Sequence, residues 1–279
     1  MPPVKHTRTF RVRHYECDAY GHLNNANYVR YMEEAALDAS AAVGYDKARY
    51  QALGRMWLAR ETEIEYLTPI TYGQTVEVTT WVGDFRRVRS RRLYEFRIQG
   101  QDELVARAWT DWVFLDAGTF QPVTVPPEIV EAYSPGGLPD ELPPREKFPP
   151  QPPQPAGAYT LHKRVEWRDI DAAGHMNNAV YLNYIEDCST QVATHFGWPM
   201  KRIEQAGFAI IARRHRIEYL QPALLDDELA ITTWVSDVKR STAFRHYTVH
   251  RVSDNALLAR ARTLWVWVDV KRGRPMRIP

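Results

Sequence analysis

Two short segments of the sequence carry the same acidic signature. One reads Asp-Ala-Tyr-Gly-His-Leu-Asn-Asn from Asp18 to Asn25, and the other reads Asp-Ala-Ala-Gly-His-Met-Asn-Asn from Asp171 to Asn178. A carboxylate beside a carbonyl group can attack it or activate water, an effect of about 10²–10⁴ in rate. Unpaired N–H groups at a helix start can stabilise the resulting oxyanion, each by about 10²–10³. The glycine permits a tight turn. The signature therefore predicts carbonyl chemistry at a strand-to-helix junction.

The same residue types also have a structural interpretation. An aspartate ahead of Gly-His can hydrogen-bond nearby backbone and stabilise a turn, so on residue type alone both interpretations of Asp18 and Asp171 are equally supported. Asp18 and His22 have the i, i+4 spacing of a metal-binding pair, but no third ligand recurs at a useful spacing. We therefore predict neither a metal nor a cofactor. Cys17 is interpreted as a small buried filler, since the second segment has Ile170 there.

The two signatures belong to a long internal repeat. Residue n between 11 and 116 corresponds to residue n + 153, with no gap over that range. Pairs identical in both copies include Tyr28 with Tyr181, Tyr31 with Tyr184, Glu33 with Glu186, Glu65-Tyr66-Leu67 with Glu218-Tyr219-Leu220, and Trp112-Val113 with Trp265-Val266. The chain is predicted to be two copies of one domain, 1–116 and 161–279.

A proline-rich linker, 117–160, separates the copies. It contains four Pro-Pro pairs and Gly136-Gly137. Because proline removes backbone donors and holds the chain extended, the linker is predicted to be a semi-rigid connector outside the core. Residues 127–133 are predicted to form a short helix.

Hydrophobic periodicity predicts the same element order in each copy. In the first copy a strand at 9–15 precedes a loop at 16–21, and a helix capped by Asn25 ends near Gly44. Four strands follow, at 56–68, 74–85, 90–99 and 103–115. The second copy repeats this with a strand at 162–168, a helix at 178–196 and four strands to about 270.

One long helix cannot cover both faces of a four- or five-stranded sheet, but a curved sheet can wrap around it. The predicted class is therefore α+β. The repeated tyrosines of the helix are interpreted as core packing, and Glu33 and Glu186 as helix-surface or interface charges. Small residues such as Ala35, Ala36 and Ala39 allow close helix–sheet packing and would equally leave a slot for an apolar chain.

The duplicated motif resembles that of the hotdog-fold acyl thioesterases, which include hydroxybenzoyl-CoA thioesterases and the plant-type acyl-acyl-carrier-protein thioesterases. The second copy is similar to the catalytic half of the carrier-protein enzymes through Trp167, Asp169, Asp171, His175, Asn177-Asn178 and Tyr181. The tandem layout also matches, and the resemblance leaves out chiefly the linker. It implies two tandem hotdog domains and hydrolysis of acyl thioesters to carboxylic acids.

The resemblance also implies roles for the motif residues. The aspartates would attack the thioester or activate water, and the histidines would assist by hydrogen bonding or proton transfer. Amides of the turn glycines and histidines would donate to the thioester oxygen, and the asparagines would order the turn and cap the helix. The candidate catalytic residues are Asp171, His175, Asp18 and His22, and the candidate substrate-binding residues are Gly21, Asn24, Asn25, Gly174, Asn177 and Asn178.

The sequence departs from the carrier-protein enzymes at one catalytic position. Those enzymes place an asparagine two residues after the aspartate, where this chain has Tyr20 and Ala173. Their further catalytic glutamate has no certain match here, with Glu61, Glu65 and Glu218 as nearby candidates. Their four-residue mechanism is therefore not transferred whole.

Hotdog domains characteristically pair, with active sites where two copies meet. The resemblance thus implies a pseudo-dimer within the chain and leaves homo-oligomers open. Substrates would be acyl groups carried through sulfur on coenzyme A or acyl carrier protein. The basic run Arg86–Arg92 and its counterpart Lys239-Arg240, like Arg60 and Arg213, could meet phosphates or an acidic carrier. We interpret most of these basic residues as solvated surface charges.

Two other activities are considered. A hotdog hydratase or dehydratase would usually show His-Phe-Pro-Gly, which is absent. A non-catalytic module could bind acyl thioesters in the slot without chemistry. Acyl length and carrier are not readable from the sequence.

Composition sets the remaining limits. The 279 residues carry a net charge of +2, 44% are hydrophobic and 25% are charged, as in ordinary globular proteins. The near-neutral balance argues against a nucleic-acid partner. No window reaches the ~20 apolar residues of a membrane span, and the first residues lack the apolar core of a signal peptide. Cys17 and Cys188 fit a reducing compartment. A cytoplasmic enzyme is the resulting expectation.

Overall fold

A computed structural model describes residues 3–137 and 144–279. The chain forms two compact units, Met1–Lys147 and Phe148–Pro279, called unit 1 and unit 2 below. Each unit has one long helix and an antiparallel sheet, so the predicted α+β hotdog class is confirmed. None of the helices in the described ranges is long and apolar enough to cross a membrane.

Unit 1 begins with a strand and a single 3-10 turn, His14–Glu16, ahead of its long helix. Its elements are β1 His6–Arg11, α1 Asn25–Ala42, α2 Lys47–Ala52, β2 Arg55–Tyr66, β3 Thr75–Arg86, β4 Arg89–Ile98, β5 Leu104–Asp116 and α3 Pro127–Tyr133. The strands lie in the order β1-β3-β4-β5-β2 with antiparallel neighbours.

Unit 2 repeats this order, with its 3-10 turn at Trp167–Asp169. Its elements are β6 Tyr159–Arg164, α4 Asn178–His195, α5 Met200–Gln205, β7 Phe208–Tyr219, β8 Glu228–Ser236, β9 Thr242–Arg251, β10 Leu257–Asp269 and the two-residue β11 Arg274–Pro275. The strand order is β6-β8-β9-β10-β7, with β11 beside β10. Strand register follows the sequence offset, since His6 faces Thr80 in unit 1 and Tyr159 faces Thr233 in unit 2.

The long helix of each unit buries one side against its sheet. In α1 the buried residues recur three and four positions apart, the spacing of one helix face; they include Ala26, Tyr28, Val29, Met32, Ala35, Ala36 and Ala39. Tyr28 contacts Phe96 of β4, with ring centroids 5.4 Å apart. The matching residues of α4 are buried too, except Ser189, which is partly exposed. These helices bring their N-terminal ends to the acidic turns.

The first strand of each unit differs from its prediction. β1 ends at Arg11, not at residue 15, and β6 ends at Arg164, not at residue 168. The chain leaves the sheet because Glu16 Oε2 accepts a hydrogen bond from the Arg13 amide, 2.8 Å, which closes a 3-10 turn. Helices α2 and α5 were not predicted. Asp46 caps α2 by accepting a hydrogen bond from the Arg49 amide at 2.8 Å.

The linker prediction is wrong in part, because this segment contributes to the core. Helix α3 forms as predicted at Pro127–Tyr133, but Val125, Ile129 and Tyr133 are buried with Phe85 and Phe114. Proline removes backbone donors without preventing its apolar neighbours from packing. Pro143 of the predicted linker lies outside the described residues.

Candidate active site

The acidic turn of unit 1 is closed by its own backbone. Asp18 N donates to the His22 carbonyl at 2.8 Å, and Gly21 N donates to the Asp18 carbonyl at 3.0 Å. The Asp18 carboxylate Oδ1 accepts from the amides of Tyr20 and His22 at 2.9 and 3.0 Å. Gly21 has φ +77°, a conformation that side chains disfavour. The Asx interpretation of Asp18 is therefore confirmed as a structural role, and the side chain remains only half-buried.

The acidic turn of unit 2 has the same backbone frame. Asp171 N donates to the His175 carbonyl at 3.1 Å and Gly174 N to the Asp171 carbonyl at 3.0 Å. Asp171 Oδ1 accepts from the Ala173 amide at 2.7 Å. Its other oxygen, Oδ2, accepts from Asn177 Nδ2 at 3.4 Å. The carboxylate is thus held in place through both oxygens.

The imidazole ring of His175 lies partly buried beside the acidic turn of unit 2. His175 Nδ1 is 3.5 Å from the Met176 carbonyl, which can only accept, so this contact is a hydrogen bond in the tautomer with the proton on Nδ1. Nε2 then carries the lone pair, and this buried atom has no hydrogen-bond partner within the described ranges. An imidazole nitrogen in that state can accept a proton or a hydrogen bond.

The asparagines place the helix starts. Asn24 Oδ1 accepts from the Ala26 amide at 3.0 Å and Asn177 Oδ1 from the Ala179 amide at 2.9 Å, so the predicted capping role is confirmed. The cap of α1 is Asn24 and not Asn25, which is the first helical residue. Asn178 has the same place in α4. Amides of a first helical turn have no partner within the helix, and they point out of its N-terminal end.

The assignment of the oxyanion donors is mostly wrong. The amides of Gly21 and Gly174 are used by the carbonyls of Asp18 and Asp171 inside the turns. The His22 amide is used by the Asp18 carboxylate. A backbone donor already bonded within a turn is not directed at a substrate oxygen. The glycines therefore shape the turns. In α4 the amides of Ala179 and Val180 are bonded to Asn177, so the Asn178 amide is the better candidate donor.

Sequence reasoning gave no role to the acid two residues before each aspartate, and both acids are buried. Glu16 and Asp169 are 7% and 8% exposed. Glu16 Oε2 accepts from the Tyr31 hydroxyl at 2.8 Å, and Asp169 Oδ2 accepts from the Tyr184 hydroxyl at 2.7 Å. The signal was present, since an acid and a tyrosine 15 residues later recur in both copies.

These acid–tyrosine pairs tie each turn to its helix. The Glu16 carbonyl also accepts from the Asn24 amide at 2.9 Å and from Asn27 Nδ2 at 2.8 Å. Burial and the carboxylate partner raise the pKa of Tyr31 and of Tyr184, so both phenols keep their protons. The tyrosines therefore pack in the core as predicted, and they also anchor the turn through hydrogen bonds.

The other candidate nucleophile and two candidate acids named from the sequence are unsuited to catalysis or held in ion pairs. Burial and the nearby Asp18 raise the pKa of the Cys17 thiol, which disfavours the nucleophilic thiolate. Glu65 pairs with Arg107 at 2.6 Å and Glu218 with Arg260 at 2.5 Å. No cluster of three or more metal-binding side chains occurs in the described part of the chain.

The interpretation of the basic run as solvated charge is wrong for two of its members. Arg91 pairs with Asp111 at 2.6 Å and lies over the Trp109 ring at 4.0 Å. Arg92 is 5% exposed. Strand alternation explains Arg92, because β4 begins at Arg89 and turns alternate residues inward, whereas Arg91 lies on the opposite face and is covered by its ion pair.

Comparison with protein families covers most of the chain. The family model described as "Thioesterase-like superfamily" matches residues 12–133 and 165–279, one match on each copy of the repeat. The chain is 22% identical over 268 residues to the chloroplastic acyl-[acyl-carrier-protein] hydrolase FATB2 of Cuphea viscosissima, covering 92% of this chain and 62% of that protein. The chain thus spans less than two thirds of that relative's length.

A bacterial relative matches less than half of the chain, and two solved structures match most of it. The acyl-CoA thioester hydrolase YbgC of Escherichia coli O6:H1 is 31% identical over 117 residues, which is 42% of this chain and 86% of that protein. The 12:0-ACP thioesterase of Umbellularia californica has a TM-score of 0.76 at 21% identity, covering 94% of each chain. An acyl-ACP thioesterase of Bacteroides thetaiotaomicron has a TM-score of 0.71 at 20% identity, covering 94% of this chain and 97% of that one. The two structures support the fold.

Proposed function

The chain belongs to the thioesterase-like superfamily, and we propose that it hydrolyses acyl thioesters with the acidic turn of unit 2 as its main site. The observation that carries the proposal is the Asp171 carboxylate, held through both oxygens beside the N-terminal end of α4. The relatives named as hydrolases of acyl-acyl-carrier-protein and acyl-CoA support the same reaction.

In the proposed reaction Asp171 activates water. Oδ1 is held by the Ala173 amide, so the carboxylate cannot turn away while Oδ2 takes a proton from the attacking water. The water oxygen bonds to the thioester carbon, and the carbonyl electrons move onto oxygen. The C–S bond then breaks as the carbonyl re-forms, the thiolate takes the proton that Asp171 Oδ2 had accepted, and a carboxylic acid is released. A positioned base of this kind contributes about 10²–10⁴ in rate.

Residues of the acidic turn and of the start of α4 stabilise the oxyanion and transfer the proton. The Asn178 amide, the first of α4, stabilises negative charge on the carbonyl oxygen. His175 Nε2 accepts or relays the proton, because Nδ1 faces the Met176 carbonyl. Asn177 links the two parts, since its Oδ1 caps α4 while its Nδ2 contacts Asp171. In unit 1, Asp18, His22, Asn24 and Asn25 occupy the equivalent positions and form a second, weaker site.

The substrates of the proposed reaction are acyl groups carried through sulfur on coenzyme A or on acyl carrier protein. Both carriers end in the same phosphopantetheine arm, so the reaction at the turn is the same for each. A panel that holds the acyl group constant and changes only the carrier decides between them. We also place the protein in the cytoplasm, where the thiols of Cys17 and Cys188, which form no disulfide, stay reduced.

Thiol release from purified protein tests the proposal. Asp171→Asn is expected to lower kcat for an acyl-CoA or acyl-carrier-protein substrate by about 10²–10⁴. The variant is expected to stay folded, because an amide oxygen still accepts the Ala173 hydrogen bond. Asp18→Asn is the matched variant and is expected to lower kcat less. If both variants kept full activity, the assigned carboxylates would be wrong; release of no thiol by the wild type would point to a binding module.

A further inference from the structure

Hydrogen-bond donors line the face of the unit 1 sheet that α1 covers. Residues along β4 alternate between faces. Phe96 faces Tyr28 of α1, so Tyr94 and Arg92 point to the same side, about 7 and 14 Å further along the strand. This inner face therefore becomes polar with distance from the helix N-terminal end and its acidic turn.

Arg92 is a buried cation with little to neutralise it. It is 5% exposed, and its only hydrogen bond in the described ranges is to Thr80 Oγ1 at 3.5 Å, the outer limit for such a bond. Its guanidinium lies 5.5 Å from the Tyr133 ring, but no described carboxylate pairs with it. A buried charge is costly unless an opposite charge or hydrogen bonds compensate it. An anionic ligand bound beside Arg92 would lower that cost.

The Tyr94 hydroxyl adds a second donor. Tyr94 is 1% exposed. Neither its hydroxyl nor the buried Trp112 Nε1 forms a hydrogen bond of acceptable geometry with a described residue. The Trp112 indole and Thr110 nevertheless lie near the hydroxyl. Burial raises the pKa of Tyr94 to about 12, so the phenol keeps its proton and can donate it. Buried polar groups normally have partners.

Unit 2 satisfies the equivalent tyrosine internally, whereas Arg245, the counterpart of Arg92, makes the same 3.5 Å hydrogen bond to a threonine hydroxyl and is less buried. Tyr247 corresponds to Tyr94, and its hydroxyl lies 2.6 Å from Ser189 Oγ and accepts from Trp265 Nε1 at 3.3 Å. Ser189 corresponds to Ala36 of α1, which has no hydroxyl. The two units thus share the tyrosine and the tryptophan, and they differ in the one helix residue that would complete the network.

We propose that unit 1 binds, beside Ala36, an acyl chain that ends in a carboxylate, with Tyr94 and Arg92 as its donors. This specificity assignment rests on the proposed thioesterase function. A carboxylate fits because every group without a suited partner here is a donor, and one is a cation. The small side chains of Ala35, Ala36 and Ala39 on the buried face of α1 would leave room for the chain between the helix and the sheet.

Matched substrates test the assignment. In Asp171→Asn, where the remaining turnover depends on the acidic turn of unit 1, the kcat/KM for octanoyl-CoA is compared with that for the same thioester carrying a carboxylate at its far end. This reference protein, which has the wild-type subsite, is expected to favour the carboxylated substrate by about tenfold or more, as for a hydrogen bond to a charged group. Added to this reference, Ala36→Ser, which copies unit 2, and Tyr94→Phe are each expected to reduce that ratio towards one. Tyr247→Phe is the control and is expected to keep the reference ratio.

The outcomes separate this assignment from the proposed function. A reference ratio of one or below, or a ratio unchanged in both Ala36→Ser and Tyr94→Phe, would overturn the subsite while leaving hydrolysis intact. Calorimetric binding of the two thioesters to Asp171→Asn is measured alongside. If no thioester were hydrolysed but the carboxylated one still bound about tenfold tighter, the enzyme proposal would fail and the subsite would stand. Equal affinities would overturn the subsite as well.

Discussion

Mild acid is expected to destabilise the protein through one buried histidine. His215 is 2% exposed, with Nδ1 2.8 Å from Thr263 Oγ1, and burial lowers its pKa from 6.5 to about 3. Since the folded-state pKa lies below the unfolded value, the neutral imidazole contributes stability above pH 6.5. That contribution is lost as the pH falls from 6.5 towards 3.

The size of the effect follows from the two pKa values. Between pH 7 and pH 5 the unfolded chain takes up nearly one proton at His215 that the folded chain does not. The free energy of unfolding is therefore expected to fall by about 2 kcal/mol from this group. Other groups titrate in the same range, so the prediction concerns the difference between the wild type and a variant without His215.

The repeat supplies a suitable variant, His215→Thr. Thr62 holds the equivalent place in unit 1, where its Oγ1 lies 3.2 Å from Thr110 Oγ1, and Thr110 corresponds to Thr263. Urea unfolding at pH 7 and pH 5 is followed by circular dichroism. His215→Thr is expected to lose about 2 kcal/mol less than the wild type between these pH values, and His162→Thr, at an exposed residue, serves as the control. Equal losses in the wild type and His215→Thr would refute the reasoning.

Four further substitutions test the packing by urea unfolding at pH 7. Tyr184→Phe is expected to cost about 1.5–3 kcal/mol because it removes a donor to the buried Asp169 carboxylate, and a cost near zero would contradict the anchor. Tyr94→Phe is expected to leave the free energy of unfolding unchanged or to raise it, because the hydroxyl has no partner among the described residues. Tyr247→Phe is expected to cost about 1 kcal/mol, because its hydroxyl is hydrogen-bonded. A larger cost for Tyr94→Phe than for Tyr247→Phe would contradict the comparison of the units. Ile129→Ala is expected to cost about 2–5 kcal/mol, as for a core residue, and a surface-like cost below about 0.5 kcal/mol would restore the simple linker.

Much of the secondary structure was predictable because its signals are local. Alternation of apolar residues placed β2 to β5 within about two residues of their observed ends. The helix cap was misplaced by one residue, from Asn24 to Asn25. Strand β1 was misread because the residues after Arg11 continue to alternate while their hydrogen bonds go to a 3-10 turn.

The acidic turn was readable as a site, but the use of its atoms was not. Residue types predicted a carboxylate, a histidine and a helix start in one place. Whether the amides of Gly21 and Gly174 face a substrate or the turn depends on backbone dihedral angles that the sequence leaves open. In the structure they are bonded within the turn.

The sequence alone determined the duplication, the element order and the acidic turn, since each depends on residues close together in the chain or on a constant offset between copies. Tertiary structure decided which charges are buried and what they meet. Arg92 lies inside a basic run that reads as surface, and Glu16 reads as a loop acid, yet both are almost fully covered. Burial depends on neighbours that are distant in sequence, such as Tyr133 over Arg92 and Tyr31 against Glu16, and only folding brings them together.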